Sequence, residues 1–158
     1  MNKKVKTRLA VISDIKKLEI LQIDMENTIE EDPYPDELGK KGLEFIMNNP
    51  DQGFYIVAEL KNEVVGGLRI SFERSVSRNG FFWWIQNVCV DKKFRGNRIF
   101  QSMFNKVIEL AKNQDGVVAV KLHVHTNNNS AIKAYERSGM KRTPEYPYIY
   151  NLKWNQLE

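Results

Sequence analysis

Cysteine is almost missing from this chain: Cys89 is the single one in 158 residues. No internal disulfide can form, and such a chain suits a reducing, cytoplasmic setting. Histidine is nearly as scarce, with only His123 and His125. One cysteine and two histidines at i, i+2 lack a full zinc ligand set, so no metal is expected. Prolines and glycines are few and gather into no linker, repeat or low-complexity tract. No run of about 18 apolar residues occurs, so no membrane span is expected. The start, MNKKVKTRLAVISDIKK, carries scattered charge instead of the apolar stretch of a signal peptide.

What is present suits one globular domain over 1–158. Hydrophobic residues make up 42% and charged residues 28%, an ordinary balance for a soluble protein. A chain of this length can bury about 70% of its unfolded surface. The formal charge of +4 is too mild to argue for nucleic acid. Lys92, Lys93, Arg95, Arg98, Lys106 and Lys112 form a basic set that serves an anionic small ligand equally well, so no nucleic-acid partner is expected.

Hydrophobic periodicity sets out the elements. Residues 5–12 read as a strand, with Ser13 as the N-cap of a helix over 14–29. The acidic, proline-broken stretch EEDPYPDE at 30–37 is a loop, and a second helix follows to about 48, where Asn49-Pro50 stops it. Residues 53–60 and 64–74 read as strands around the turn Lys61-Asn62-Glu63. The very apolar stretch 81–91 is a third strand of this set. Ile99, Phe100, Met103, Phe104, Val107, Ile108 and Ala111 form one stripe of a helix over 97–113. A strand over 117–125, a short helix over 128–138 and one or two strands in 140–154 complete the order. Hairpins make the early strands antiparallel, while the crossover from 81–91 through a helix to 117–125 makes that pair parallel. The fold class is α/β (α+β): a mixed, mostly antiparallel sheet with one parallel pair and helices on both faces.

The stretch VDKKFRGNRIFQSMF, 90–104, concentrates positive charge where a strand passes into a helix. A helix start offers unpaired N–H groups and partial positive charge, and anions bind there. Gly96 allows close backbone approach, and Arg95 and Arg98 can form charge-assisted bonds to phosphate oxygens. The same residues also read as a basic surface turn, and composition does not separate the two.

Two segments resemble the GCN5-related N-acetyltransferase family. VDKKFRGNRIF is similar to that family's acyl-CoA loop, Arg/Gln-x-x-Gly-x-Gly/Ala after a hydrophobic strand. Arg95 takes the first position, Arg98 replaces the first glycine, and Phe100 replaces the final Gly/Ala. NNSAIKAYERSGM, 128–140, resembles the second signature, Asn-x-x-Ala-x-x-x-Tyr-x-x-x-Gly-Phe/Met, through Asn128, Ala131, Tyr135, Gly139 and Met140. TRLAVISDIKKL at 7–18 is similar to the family opening.

The resemblance implies an N-acetyltransferase with acetyl-CoA as co-substrate, lying where strands 81–91 and 117–125 splay apart. It implies that the backbone of Val88, Cys89 and Val90 pairs with pantetheine, and that N–H groups from Arg95 through Gly96, Asn97, Arg98, Ile99 and Phe100 hold the pyrophosphate. Asn128 either bonds pantetheine or caps its helix, the two not being exclusive. Tyr135 is either the general acid for the departing thiolate or a buried aromatic. No base stands on the strand before the basic turn: Gln86 or Asn87 can position a water there. His125 carries an imidazole of the kind that serves as a base but also reads as an ordinary strand histidine.

The acceptor is expected to be an amine of a small molecule or a peptide. Glu30, Glu31 and Tyr34 with Trp84 either bind a cationic amine through charge and cation–π contact or form a solvated loop beside core aromatics. The alternative function is a non-catalytic acyl-CoA-binding or sensory module on the same fold. A homodimer is left open.

Overall fold

The computed structural model describes residues 4–29, 36–150 and 152. Five strands form one sheet in chain order: β1 (Lys6–Leu9), β2 (Gly53–Leu60), β3 (Glu63–Ser75), β4 (Gly80–Val90) and β5 (Val117–Leu122). β1 to β4 pair antiparallel, and β5 joins β4 in parallel. The helices are α1 (Ile15–Ile29), α2 (Asp36–Asn48), α3 (Ile99–Asn113) and α4 (Asn129–Arg137). Of the loop expected over 30–37, residues 30–35 lie outside the described residues, and Asp36 and Glu37 already belong to α2. Among those described, no helix is long and apolar enough to cross a membrane.

Alternation along the central strands feeds two cores. Ile56, Leu68, Ile70, Trp83 and Ile85 face α3, where Met103, Phe104 and Val107 meet them. Tyr55, Val57, Val64 and Cys89 face the other way, against Leu18, Leu21, Leu43 and Ile46 of α1 and α2. The sheet is thus sandwiched between helices, and its inner strands must be apolar on both faces. Gly66 and Gly67 let the layers close. A Cβ on Gly66 would stand 2.8 Å from Ile99 Cγ2, and one on Gly67 would stand 2.4 Å from Leu18 Cδ2.

Several expectations shift at element ends. β1 is shorter than 5–12, because Ile12–Asp14 winds into a 3-10 turn. Ser13 therefore lies inside that turn and caps nothing. Instead the Asp14 carboxylate accepts the Val11 N–H at 2.8 Å. The β2–β3 hairpin turns on two residues, Lys61 and Asn62, both at positive φ (53° and 64°), the geometry that matches strand twist. The strand expected over 117–125 stops at Leu122, so His123 and His125 do not alternate on it. α3 begins at Ile99, not 97. No strand forms over 141–150. Pro144 and Pro147 lack the N–H a ladder needs, and Tyr146, Tyr148 and Tyr150 stay exposed.

Candidate active site

The parallel pair β4–β5 separates part-way along. Pairing runs from Phe81 with Val117 to Ile85 with Leu122 and then ends, while β4 continues to Val90. The cause is local. Arg69 faces Gln86 and Gly67 faces Cys89, so Leu68 alone stands opposite Asn87 and Val88. That is a bulge, and Asn87 carries it at φ 51°. Bulges bend a strand and exchange its faces, and asparagine tolerates the left-handed region better than most residues. Val88, Cys89 and Val90 therefore lie beyond the end of the parallel ladder with β5. A strand that runs on past its ladder is a place where an extended ligand can add. The Cys89 thiol takes no part in that edge, being buried against the Gly67 carbonyl at 3.4 Å.

The basic turn follows directly. Asp91 accepts from Lys93 N–H at 2.9 Å and starts a 3-10 turn over Lys92–Phe94. The Asn97 side chain donates to Phe94 O at 2.9 Å and pins the loop. Gly96 has φ 81°, with open space where a Cβ would stand. Arg98 sits at φ 56°, ψ 29°, a left-handed conformation at the start of α3. The residue that replaces a family glycine has therefore kept a glycine's backbone angles. The helical ladder begins with Ser102 N–H to Arg98 O. N–H groups earlier in the first turn of α3 have no helical acceptor and sit among exposed Arg95, Gly96, Asn97 and Arg98.

Phe100, the other glycine replacement, turns toward α4. Its ring meets Tyr135 edge-on, with centroids 5.0 Å apart, and lies 5.8 Å from Phe104. Burial pushes the Tyr135 hydroxyl above its ordinary value of about 10. Asn128 caps α4, its Oδ1 accepting Ala131 N–H at 3.1 Å, so the capping role is real. Gly139 at φ 89° closes the helix, and Met140 N–H returns to Tyr135 O at 3.1 Å.

The face toward α1 and α2 is polar beside the bulge. Arg69, Ser71 and Glu73 alternate along β3 opposite Gln86, Trp84 and Phe82 of β4. Arg69 Nη2 donates to Gln86 Oε1, and Ser71 Oγ donates to the same oxygen at 2.8 Å. A guanidinium can only donate, so the amide oxygen must face it and the amide NH2 points elsewhere. Trp84 donates to Glu73 at 2.5 Å. Its ring also contacts the His123 ring at 4.6 Å and the Lys121 ammonium at 5.1 Å. The protein's own cation thus already uses Trp84. His125 is exposed beyond the end of β5. Glu30, Glu31 and Tyr34 lie outside the described residues. Sequence reasoning missed Arg69, although a lone cation inside VVGGLRISF at period two with Ser71 and Glu73 is a signal for it.

Comparison with known proteins agrees with this geometry. The model of the acetyltransferase (GNAT) family matches residues 18–140. No curated protein matches the chain. A possible acetyltransferase from Clostridium difficile 630 is 26% identical, with TM-score 0.86 over 94% of this chain and 97% of that one. A predicted acetyltransferase from Clostridium acetobutylicum, solved with acetyl-CoA, is 19% identical, with TM-score 0.74 over 93% and 96%. The glucosamine-6-phosphate N-acetyltransferase of Arabidopsis thaliana is 22% identical, with TM-score 0.69 over 94% and 99%. With the parted strand pair, the basic turn and the family model all falling on the same residues, the chain belongs to the acetyltransferase (GNAT) family, enzymes that use acetyl-CoA as co-substrate.

Proposed function

We propose that this enzyme moves the acetyl group of acetyl-CoA directly onto a primary amine of a small molecule or peptide. The observation that carries the reading is the parting of β5 from β4 after Ile85, at the Asn87 bulge, with β4 leading straight into the basic turn. Val88, Cys89 and Val90 bond the pantetheine arm through their backbone. Arg95, Gly96, Asn97, Arg98, Ile99 and Phe100 hold the pyrophosphate, with the two guanidiniums adding charge-assisted bonds. Asn128 contributes by fixing the start of α4, which carries Tyr135.

In the reaction the amine nitrogen attacks the thioester carbon, and the C–S bond of the resulting tetrahedral species breaks. Tyr135 meets the departing sulfur as general acid. Reference values of about 10 for a phenol and about 8.5 for a thiol make full proton transfer uphill by about 2 kcal/mol. Burial of Tyr135 raises its pKa and increases that cost. Tyr135 therefore works best as a hydrogen-bond donor to the developing thiolate, staying neutral throughout the physiological range.

The acceptor must lose a proton, which costs about 4.6 kcal/mol for an alkyl ammonium at pH 7. Gln86 Oε1 already accepts from Arg69 and Ser71, so Gln86 acts through its amide N–H groups and not by accepting from a water. His125, exposed past β5, is the imidazole available to take the proton. The reading also places a homodimer at the outer edge of β5, which no strand covers among the described residues. Exposed Tyr146, Tyr148 and Tyr150 support it. A monomer mass by light scattering would remove that part.

Calorimetric titration with acetyl-CoA, followed by thiol release on an amine panel, tests the whole reading. Binding and amine-dependent release support it. Binding without release on any amine favours a CoA-binding module instead. A flat pH–rate profile from about pH 6 to 9 would dismiss His125 as base.

A further inference from the structure

We propose that the acceptor amine also carries an oxyanion, a carboxylate or a phosphate, and that Arg69 and the Gln86 amide receive it. The inference rests on the acetyl-transfer reading above and names the acceptor class that reading leaves open.

Arg69 lies mid-strand in β3, half-buried, directly opposite Gln86. Its one hydrogen-bond partner among the described residues is Gln86, through Nη2. Among the described residues its Nε is buried with no hydrogen-bond partner, and no carboxylate forms an ion pair with it. A guanidinium carries five donors in a flat fork. Holding that charge in a partly dry place without a counter-charge is costly. A bidentate oxyanion resolves the cost, and arginine fits carboxylate and phosphate equally well.

The position is as telling as the missing partner. Gln86 is the residue just before the Asn87 bulge and just after β4–β5 pairing ends, the mouth of the V where the acyl group is delivered. With its oxygen engaged, Gln86 presents only N–H donors there. Lys121, paired with Trp84 on the same face, is held by Glu73 and lies near Glu145. Glu73 is the one acid on the neighbouring strand positions, and it is committed to Trp84 and to Lys121. The floor of the acceptor side is therefore rich in donors, and Arg69 is its cation without an ion-paired acid among the described residues. An anion bound at Arg69 tethers the acceptor while its amine reaches the thioester.

The test compares acceptors that differ in the anion alone. Ethanolamine against phosphoethanolamine forms the phosphate arm, and propylamine against beta-alanine the carboxylate arm, with amino acids and their amides extending the set. The anionic member of one arm is expected to have kcat/KM at least tenfold above its neutral counterpart, mainly through KM. Arg69→Gln should bring that ratio near one without changing acetyl-CoA affinity by calorimetry, and Arg69→Lys should restore part of it. The proposal is overturned if neutral members are used as well as anionic ones, or if no anionic member is used by an enzyme that binds acetyl-CoA. Equal loss on both members in Arg69→Gln also overturns it, since Arg69 would then hold an acid of its own chain. The wild-type ratio decides the matter even where the variants fail to fold. Failure to bind acetyl-CoA at all would instead sink the acetyl-transfer reading.

Discussion

The edge of the Phe100 ring meets the Tyr135 ring at a centroid separation of 5.0 Å. A side chain in place of a family glycine thus covers the residue assigned as acid and contributes to the burial that raises its pKa. Activity that needs the protonated phenol falls as pH rises through that value. Phe100→Ala should let water reach Tyr135 and bring its pKa back toward about 10. The alkaline limb of kcat should then move to lower pH. An unmoved limb would mean that Phe100 does not set the environment of Tyr135, or that Tyr135 is not the acid.

Arg98 is held in the left-handed region at φ 56°, which costs a non-glycine residue about 1–2 kcal/mol. Glycine there loses some of that gain to its greater unfolded freedom. Arg98→Gly should therefore stabilise the fold by about 0.5–1 kcal/mol, read as a small rise in Tm. It should also weaken acetyl-CoA binding by about 5–10-fold through the lost guanidinium. A variant that is both less stable and equally tight for acetyl-CoA would contradict both halves.

Asn87 is the hinge of the strand separation. Asn87→Gly keeps the positive φ and should change little. Asn87→Val puts a β-branched residue where φ is 51° and should cost about 1–3 kcal/mol in denaturant unfolding. Because straightening the bulge would let β5 pair further along β4, acetyl-CoA affinity should fall with it. Equal stability of the two variants would show that the bulge does not depend on residue 87.

Away from the site, Arg8 joins β1 to the start of α1 by bonding Asp14 at 2.7 Å and Glu59 at 2.6 Å. Burial alone would raise the Asp14 pKa, but bonds from Arg8 and the Val11 N–H outweigh it and hold the carboxyl below its usual range. A depressed folded pKa gives stability that is present above about pH 4 and lost as pH falls through the folded value. Asp14→Asn should cost about 1–3 kcal/mol at pH 7 and flatten the acid side of the stability curve. An unchanged acid slope would assign acid unfolding to other carboxylates.

How much was legible in the sequence follows from these residues. Helices α3 and α4 and strands β2 to β4 stand out because period and turn signals agree there. The basic turn and the helix that carries Tyr135 could be placed because two spaced motifs go with a β-α-β crossover. Strand ends were not legible. Val117 to His125 alternates like one strand, yet β5 stops at Leu122 because β4 bends away at Asn87, a tertiary cause. Ser13 resembles a cap, but Asp14 does that work from inside the turn. Arg69 drew no notice because its meaning lies in its neighbours across the sheet. Only the register shows that it meets Gln86 and, among the described residues, no acid.

The central claim is direct acetyl transfer at the mouth of the parted strands, with Tyr135 meeting the sulfur. The most direct measurement is acetyl-CoA-dependent acetylation of an amine panel by the wild type and by Tyr135→Phe, with acetyl-CoA affinity measured on both. The account predicts acetylated amine from the wild type, a kcat lower by about 10²-fold or more in the variant, and acetyl-CoA affinity unchanged within about twofold. Equal turnover by Tyr135→Phe, or acetyl-CoA binding with no acetylated product from any amine, would contradict it.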